Sequence, residues 1–127
     1  MRLLLDTNIF LWCILDDIKL SKKVRDMILD ADENYVSSAS IWEVAIKKSI
    51  GKLDNDDDIE NLADAISKSG FLELPITAKH AAAVHGLAYF HRDPFDRLLI
   101  AQAITEPLIF LTADKQLQEY SHLVKVV

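Results

Sequence analysis

Leu3-Leu4-Leu5-Asp6 is the stretch on which the fold class turns. Three apolar residues in a row, closed by an acid, show no alternation of polar and apolar faces. That is the pattern of a short strand covered on both sides, as in a parallel sheet flanked by helices. The chain downstream alternates accordingly. Helix is predicted over Ile9 to Leu15, and again from about Ser21 to Ala31. There Ser21 is a suitable N-cap, and Val24, Met27, Ile28 and Ala31 recur at helical spacing. Tyr35-Val36-Ser37 reads as a strand. Helix resumes from about Ser40 to Ile50, with Gly51 placed to end it in a left-handed turn.

Asp56, Asp57 and Asp58 then open a helix whose apolar stripe is Ile59, Leu62, Ala63 and Ile66, closed by Gly70. Phe71 to Leu74 is a strand stopped at Pro75, and Thr77 caps a helix holding Ala81, Val84 and Ala88. Asp93-Pro94 starts the clearest helix, with Asp as N-cap and Pro at the first position, running to Glu106. Leu108 to Leu111 is a strand, Asp114 to Glu119 a short helix, and Val124 to Val127 a last strand. Five short strands separated by helices imply an α/β fold with a mainly parallel sheet. At 127 residues, with no repeat and no shift of composition, residues 1–127 read as one domain.

The single cysteine, Cys13, excludes an internal disulfide and fits a reducing, cytoplasmic setting. Asp6 breaks the leucine run too early for an export signal. The longest apolar run, Ile9 to Leu15, is far short of the roughly 20 residues of a membrane span. The formal charge of −6 opposes nucleic-acid binding unless the excess acid is gathered on a cation.

In an open parallel sheet, ligands bind where the carboxyl ends of the strands meet the following loops. Asp6 follows the first strand directly. Glu43 falls in the first turn of the helix after the second strand, Asp96 in the first turn of the Asp93-Pro94 helix, and Asp114 just past the fourth strand after Thr112 and Ala113. Taken singly, each acid has an ordinary explanation as a cap or a first-turn residue, and Asp93 is a plain N-cap. Four carboxylates on one rim would repel one another and resist ionisation. A hard cation such as Mg²⁺, or Mn²⁺ in its place, makes such a set tolerable and suits phosphodiester hydrolysis.

Four stretches carry a family resemblance: Leu3-Leu4-Leu5-Asp6-Thr7-Asn8; Ile41-Trp42-Glu43-Val44-Ala45-Ile46-Lys47 with Gly51-Lys52-Leu53; His91-Arg92-Asp93-Pro94-Phe95-Asp96-Arg97-Leu98-Leu99-Ile100-Ala101-Gln102-Ala103; and Leu111-Thr112-Ala113-Asp114. In this order they resemble the signatures of PIN domains, and at this length the VapC-like toxin ribonucleases of toxin–antitoxin pairs. The resemblance implies a five-stranded parallel sheet of order 3-2-1-4-5. It implies an endoribonuclease that leaves a 5′-phosphate and a 3′-hydroxyl, often on structured RNA such as tRNA. Asp6, Glu43, Asp96 and Asp114 fall on the acidic quartet that holds one or two Mg²⁺ or Mn²⁺ ions. Thr112 falls on a supporting hydroxyl position, and Thr7, Asn8 and Asp93 join the supporting set. A homodimer and a cognate antitoxin lying over the active site are implied as partners. Asn8 stands where this subgroup commonly has His; Asn hydrogen-bonds but is no acid at neutral pH, so an orienting role is what remains there.

Arg97 and Lys47 are the candidate phosphate contacts. Their structural alternatives are a salt bridge from Arg97 to Asp93 and an intrahelical pair of Lys47 with Glu43. Lys48 and Lys52 read as surface. His80, His85, His91 and His122 show no zinc-ligand spacing with Cys13, and His91 reads as a loop residue. Gly51-Lys52 lacks the rest of a P-loop. The run Phe10 to Leu15 reads as a core helix, with a partner surface as the alternative. A phosphoryl-accepting receiver domain would need paired acids after the first strand and an Asp after the third, where this chain has Leu74-Pro75-Ile76. A catalytically silent PIN-fold interaction module is the other alternative, and the presence of all four acids weighs against it. The sequence thus leads to a Mg²⁺-dependent endoribonuclease.

Overall fold

The computed structural model describes residues 1–51 and 59–127, with the backbone alone at 59 and 60. The Asp56 to Asp58 opening of a helix, Lys52 and Leu53 therefore lie outside the described residues. The three leucines form β1 (Arg2–Leu5), and all three are fully buried. Because successive side chains leave a strand on opposite faces, Leu3 and Leu5 enter one apolar cluster and Leu4 the other. The first cluster is closed by α1 (Thr7–Leu15), α2 (Lys22–Asp30) and α4 (Ile59–Lys68) through Phe10, Val24, Ile28, Leu62 and Ile66. The second is closed by α6 (Pro94–Thr105) through Leu99, Ile100 and Ala103.

Five strands make one sheet in the order β3-β2-β1-β4-β5, where β2 is Glu33–Ser37, β3 Leu72–Leu74, β4 Ile109–Thr112 and β5 Val124–Val126. Every neighbouring pair is parallel. This is the sheet that the alternating pattern and the resemblance led to. The chain leaves β1 between β2 and β4, where the order of connection reverses, and a crevice opens at such a point. Asp6 occupies it.

Between β2 and α4 runs α3 (Ser38–Ser49), and after β3 comes the short α5 (Ala78–Ala83). Two elements differ from their predicted form. The helix capped by Thr77 stops at Ala83 and passes into a 3₁₀ turn, Val84–Gly86, instead of reaching Ala88. The carbonyls of Val84 and Ala88 are turned to the Arg97 guanidinium, which a continuous helix would prevent. The segment after Asp114 is also a 3₁₀ turn, Lys115–Tyr120, sealed by the fully buried Leu117. Gly51 and Gly70 adopt φ of 74° and 80°, the left-handed conformation that ends a helix with no Cβ penalty. Along α1 only Ile9 and Phe10 are fully buried among its apolar residues. Leu11 to Ile14 are half-buried and Leu15 is exposed, so that helix is core at its start and surface at its end. Among the described residues no helix is long and apolar enough to cross a membrane.

A buried amide ties the elements behind the crevice. Gln102 of α6 is fully buried, accepts from the Ser37 hydroxyl at 2.6 Å, and donates to the Pro75 carbonyl at 3.4 Å. Ser37 in turn caps α3 by accepting from the Ala39 amide. Replacing Gln102 by Leu keeps the bulk and strands the Ser37 proton and the Pro75 carbonyl. The expected loss is about 1–3 kcal/mol for each stranded group. Urea denaturation checks it: the midpoint should fall with the slope unchanged, and an unchanged midpoint would refute the role given to this amide.

Candidate metal centre

Asp6 is the residue on which the site is built. Its amide donates to the Leu111 carbonyl of β4, so the sheet itself fixes its backbone. Its Oδ1 accepts from the Thr7 amide at 2.7 Å, which makes it the N-cap of α1. Its Oδ2 accepts from the Thr112 hydroxyl at 2.6 Å, and the Thr112 Oγ accepts from the Asp114 amide at 3.1 Å. Thr112 thus joins two of the predicted acids from a fully buried position. Each Asp6 oxygen keeps a lone pair beyond the one used by the protein.

Glu43 departs from its predicted place. Because α3 begins at Ser38, Glu43 lies in the second turn, where neither capping nor the helix dipole accounts for an acid. It is nonetheless buried. Its Oε1 lies 2.8 Å from the Thr7 hydroxyl, and that hydroxyl lies 2.9 Å from Ser40 Oγ. A hydroxyl has one proton, so Thr7 donates it to the carboxylate and accepts from Ser40. Glu43 Oε2 accepts from the Lys47 ammonium at 2.9 Å, the predicted intrahelical pair. One residue back, the exposed Trp42 ring meets the Phe95 ring edge-on at 5.1 Å. This contact sets α3 against the start of α6, and with it Glu43 opposite Asp96.

Asp93 caps α6 as expected, its Oδ1 accepting from the amides of Phe95 and Asp96. Asp96 Oδ2 lies 3.0 Å from His91 Nε2. His91, read from the sequence as a loop residue, is therefore part of the site. The signal available was its place five residues before Asp96, at the start of the third of the four stretches that carry the resemblance. Ligand atoms of His91, Asp93 and Asp96 lie within 4.8 Å of one another, and among the described residues this is the tightest group able to hold a cation. The quartet of Asp6, Glu43, Asp96 and Asp114 is more open than that. Asp114 is half-buried and accepts from the Gln116 amide, so it is also the cap of the turn after β4.

Arg97 and Asn8 correct the sequence reading. Arg97 is buried, and its guanidinium donates to the Ala88 carbonyl at 2.9 Å, the Tyr120 hydroxyl at 3.0 Å and the Val84 carbonyl at 3.4 Å. These three bonds turn the guanidinium to the protein, and none of them goes to the Asp93 side chain. Asn8 is exposed, and among the described residues its side chain has no hydrogen bond to the acids it was expected to orient.

Charge unites the quartet. Burial raises the Asp6 carboxyl above the usual carboxylate range; hydrogen bonds from Thr112 and Thr7 oppose this, and the charges of Glu43 and Asp114 add to it. Asp96 is pushed up to about 7, first by burial and then by the charges of Asp6 and Asp93, with Glu43 adding and the His91 contact opposing. The Lys47 ammonium is held above its usual value by its bond to Glu43, helped by the charges of Asp93 and Asp96. Acids that share burial and cling to protons are short of positive charge. Their donors are hard oxygens. Both facts fit Mg²⁺ or Mn²⁺.

Comparison with known proteins agrees with the architecture. The sequence matches the PIN domain family over residues 3–123. No curated protein sequence is matched. Among solved structures, the chain is similar to VapBC2 from Rickettsia felis bound to a DNA fragment from their promoter, with a TM-score of 0.72 at 18% identity, covering 98% of this chain and 96% of that one. It is similar to DNA-bound VapBC from Salmonella typhimurium, with a TM-score of 0.63 at 17% identity, covering 100% and 97%. For FitAcB from Neisseria gonorrhoeae the TM-score is 0.59 at 20% identity, covering 91% and 89%.

The raised carboxyl of Asp96 has a consequence for stability in EDTA. Its folded value, about 7, lies above the ordinary 3.8, so the folded state binds the proton more tightly. The contribution is fully present below pH 4 and is lost as pH rises through 7. Asp96→Asn, which carries no charge at any pH, should therefore melt above the wild type at pH 8 and near it at pH 4. Thermal melts in EDTA at the two pH values decide it; a variant that melts below the wild type at pH 8 would contradict the assignment.

Proposed function

The chain belongs to the PIN-domain family, and from that premise we propose that it is a divalent-cation-dependent endoribonuclease, the toxin of a toxin–antitoxin pair. The observation that carries the reading is the convergence of Asp6, Glu43 and Asp96 from three separate elements on one crevice, where each is buried or half-buried, the charge of Glu43 is felt at Asp6, and those of Asp6 and Glu43 are felt at Asp96. Glu43 weighs most, because neither capping nor the helix dipole calls for an acid in the second turn of α3, and its pair with Lys47 would form as well at the surface without burying a carboxylate.

In this reading Asp6, Glu43, Asp96 and Asp114 hold Mg²⁺ or Mn²⁺, directly or through water. The cation, when bound, orients the phosphodiester, lowers the pKa of an attacking water and offsets charge on the leaving oxygen. The chain's own part is positioning. Thr112 and the Thr7 amide hold the two Asp6 oxygens, each from a different side. Thr7 and Lys47 do the same for the two oxygens of Glu43. The ammonium of Lys47 also supplies positive charge beside Asp93 and Asp96. Half-burial of Asp96 and His91 leaves a water-accessible side on which RNA can enter. The resemblance to VapC-like toxins, with the likeness of fold to VapBC and FitAcB, supports an antitoxin protein as partner and a homodimer as the assembly.

Purified protein, free of any antitoxin, should cut total RNA or members of a tRNA panel at discrete positions with Mg²⁺ and not with EDTA. Asp96→Asn should abolish the cuts. Thr112→Val, which removes only the hydroxyl that orients Asp6, should lower activity or metal affinity by about 10- to 100-fold. Folded, metal-loaded protein that cuts no RNA would overturn the ribonuclease and favour the silent interaction module. Equal cutting by Asp96→Asn would show that the acids had been misassigned.

A further inference from the structure

The segment Tyr89-Phe90-His91-Arg92 lies between the 3₁₀ turn after α5 and the cap of α6, and the chemistry described so far uses only its histidine. Tyr89 is 72% exposed and Phe90 52% exposed, an unusual state for two adjacent aromatic rings. They are nonetheless held in place. The Arg97 guanidinium sits 4.8 Å from the centre of the Tyr89 ring, so one face of that ring is seated on a buried cation while the residue as a whole stays open to solvent. The Phe90 ring meets Tyr120 edge-on at 5.2 Å. Tyr120 accepts from Arg97 and donates to the His91 carbonyl at 3.4 Å, which fixes the backbone between the two rings and the site. Arg97 thus serves as a buried anchor beneath the segment, which explains why it is spent on carbonyls and rings.

Tyr89, Phe90, His91 and the exposed Arg92 line an open recess of about 480 Å³. One of its lining residues reaches the metal centre: His91 Nε2 lies 3.0 Å from Asp96 Oδ2. Supported rings with an open face are what unpaired nucleobases stack on, and a neighbouring Arg supplies charge for the phosphate between them. On a chain of net charge −6, an Arg beside two rings at the edge of the acid cluster is the complement an RNA strand requires.

We propose that Tyr89, Phe90 and Arg92 form a stacking platform that holds unpaired RNA bases next to the scissile phosphate. The proposal rests on the ribonuclease reading for its placement, and it is testable by binding alone. The platform selects unpaired bases because a duplex buries their faces.

The test is fluorescence anisotropy in EDTA, with a labelled single-stranded RNA oligonucleotide and the same strand annealed to its complement. The wild type should bind the single strand more tightly than the duplex. Tyr89→Leu and Phe90→Leu should each weaken single-strand binding by about 5- to 100-fold at a temperature where melts show both variants folded. The paired swap Tyr89→Phe with Phe90→Tyr keeps both rings and should bind as the wild type does. Leucine also removes the ring contacts with Arg97 and Tyr120, so a purely structural role would appear as a lowered melting temperature with the preference for single strand over duplex kept. Leucine variants that bind like the wild type, or a duplex bound as tightly as the single strand, would overturn the platform, and the loop would then be reassigned to contact with a protein partner. Weakened binding by the leucine variants in a protein that never cuts RNA would sustain the platform and defeat the activity. Cutting with an unchanged KM in those variants would do the reverse.

Discussion

Several carboxylates share one crevice at the edge of the sheet, Asp6 and Glu43 buried and Asp96 and Asp114 half-buried, and the polar network around them is arranged to hold them there. Asp6 cannot leave, because its amide is bonded to β4 and both its oxygens are bonded to the chain. Its charge is felt at Asp96, and those of Glu43 and Asp114 are felt at Asp6. Hydrogen bonds from Thr7, Thr112 and Lys47 reduce the repulsion, yet Asp96 still holds its proton up to about neutral pH. What the arrangement lacks is a compact positive charge with room for several oxygens, the coordination that Mg²⁺ favours.

The fold answers this crowding with supports that lie outside the acids. The Trp42–Phe95 contact and the Gln102–Ser37 bond fix α3 against α6 from opposite ends of the interface. Arg97 fixes the segment that carries His91. None of these groups needs to touch a substrate to matter, since a displacement of about 1 Å at a site of this kind can cost about 100-fold in rate. The buried polar groups therefore cluster around the carboxyl ends of β1, β2 and β4, while the apolar clusters fill the two faces of the sheet.

Much of this was legible in the sequence, for identifiable reasons. Leu3 to Leu5 announced a strand buried on both faces, and Asp93-Pro94 announced a helix start, because both rest on short-range sterics and patterning. The places of Asp6 and Asp114 at the carboxyl edge of the sheet were legible because each lies just past a strand that the apolar runs mark out. Glu43 was placed a turn too early, since Ser38, Ser40 and Ser37 are all plausible helix starts and only the Ser37–Ala39 bond chooses among them. Arg97 was misread because an arginine beside an acid looks the same in sequence whether it faces a ligand or lies beneath a loop. Its real partners, Val84, Ala88 and Tyr120, are set by the tertiary fold. The Tyr89-Phe90 pair gave no periodic signal, and its exposure could be known only from the structure.

If these acids form a cation site, their own carboxyl groups report it. Carbon-13 NMR of labelled aspartate side chains, followed against pH with and without Mg²⁺, would give the Asp96 titration. The expected midpoint is near 7 without the ion, falling by more than about one pH unit with saturating Mg²⁺, because an adjacent cation favours the charged form. An Asp96 that titrates in the ordinary carboxylate range without Mg²⁺, or one that saturating Mg²⁺ leaves unmoved, would contradict a cation site at these acids.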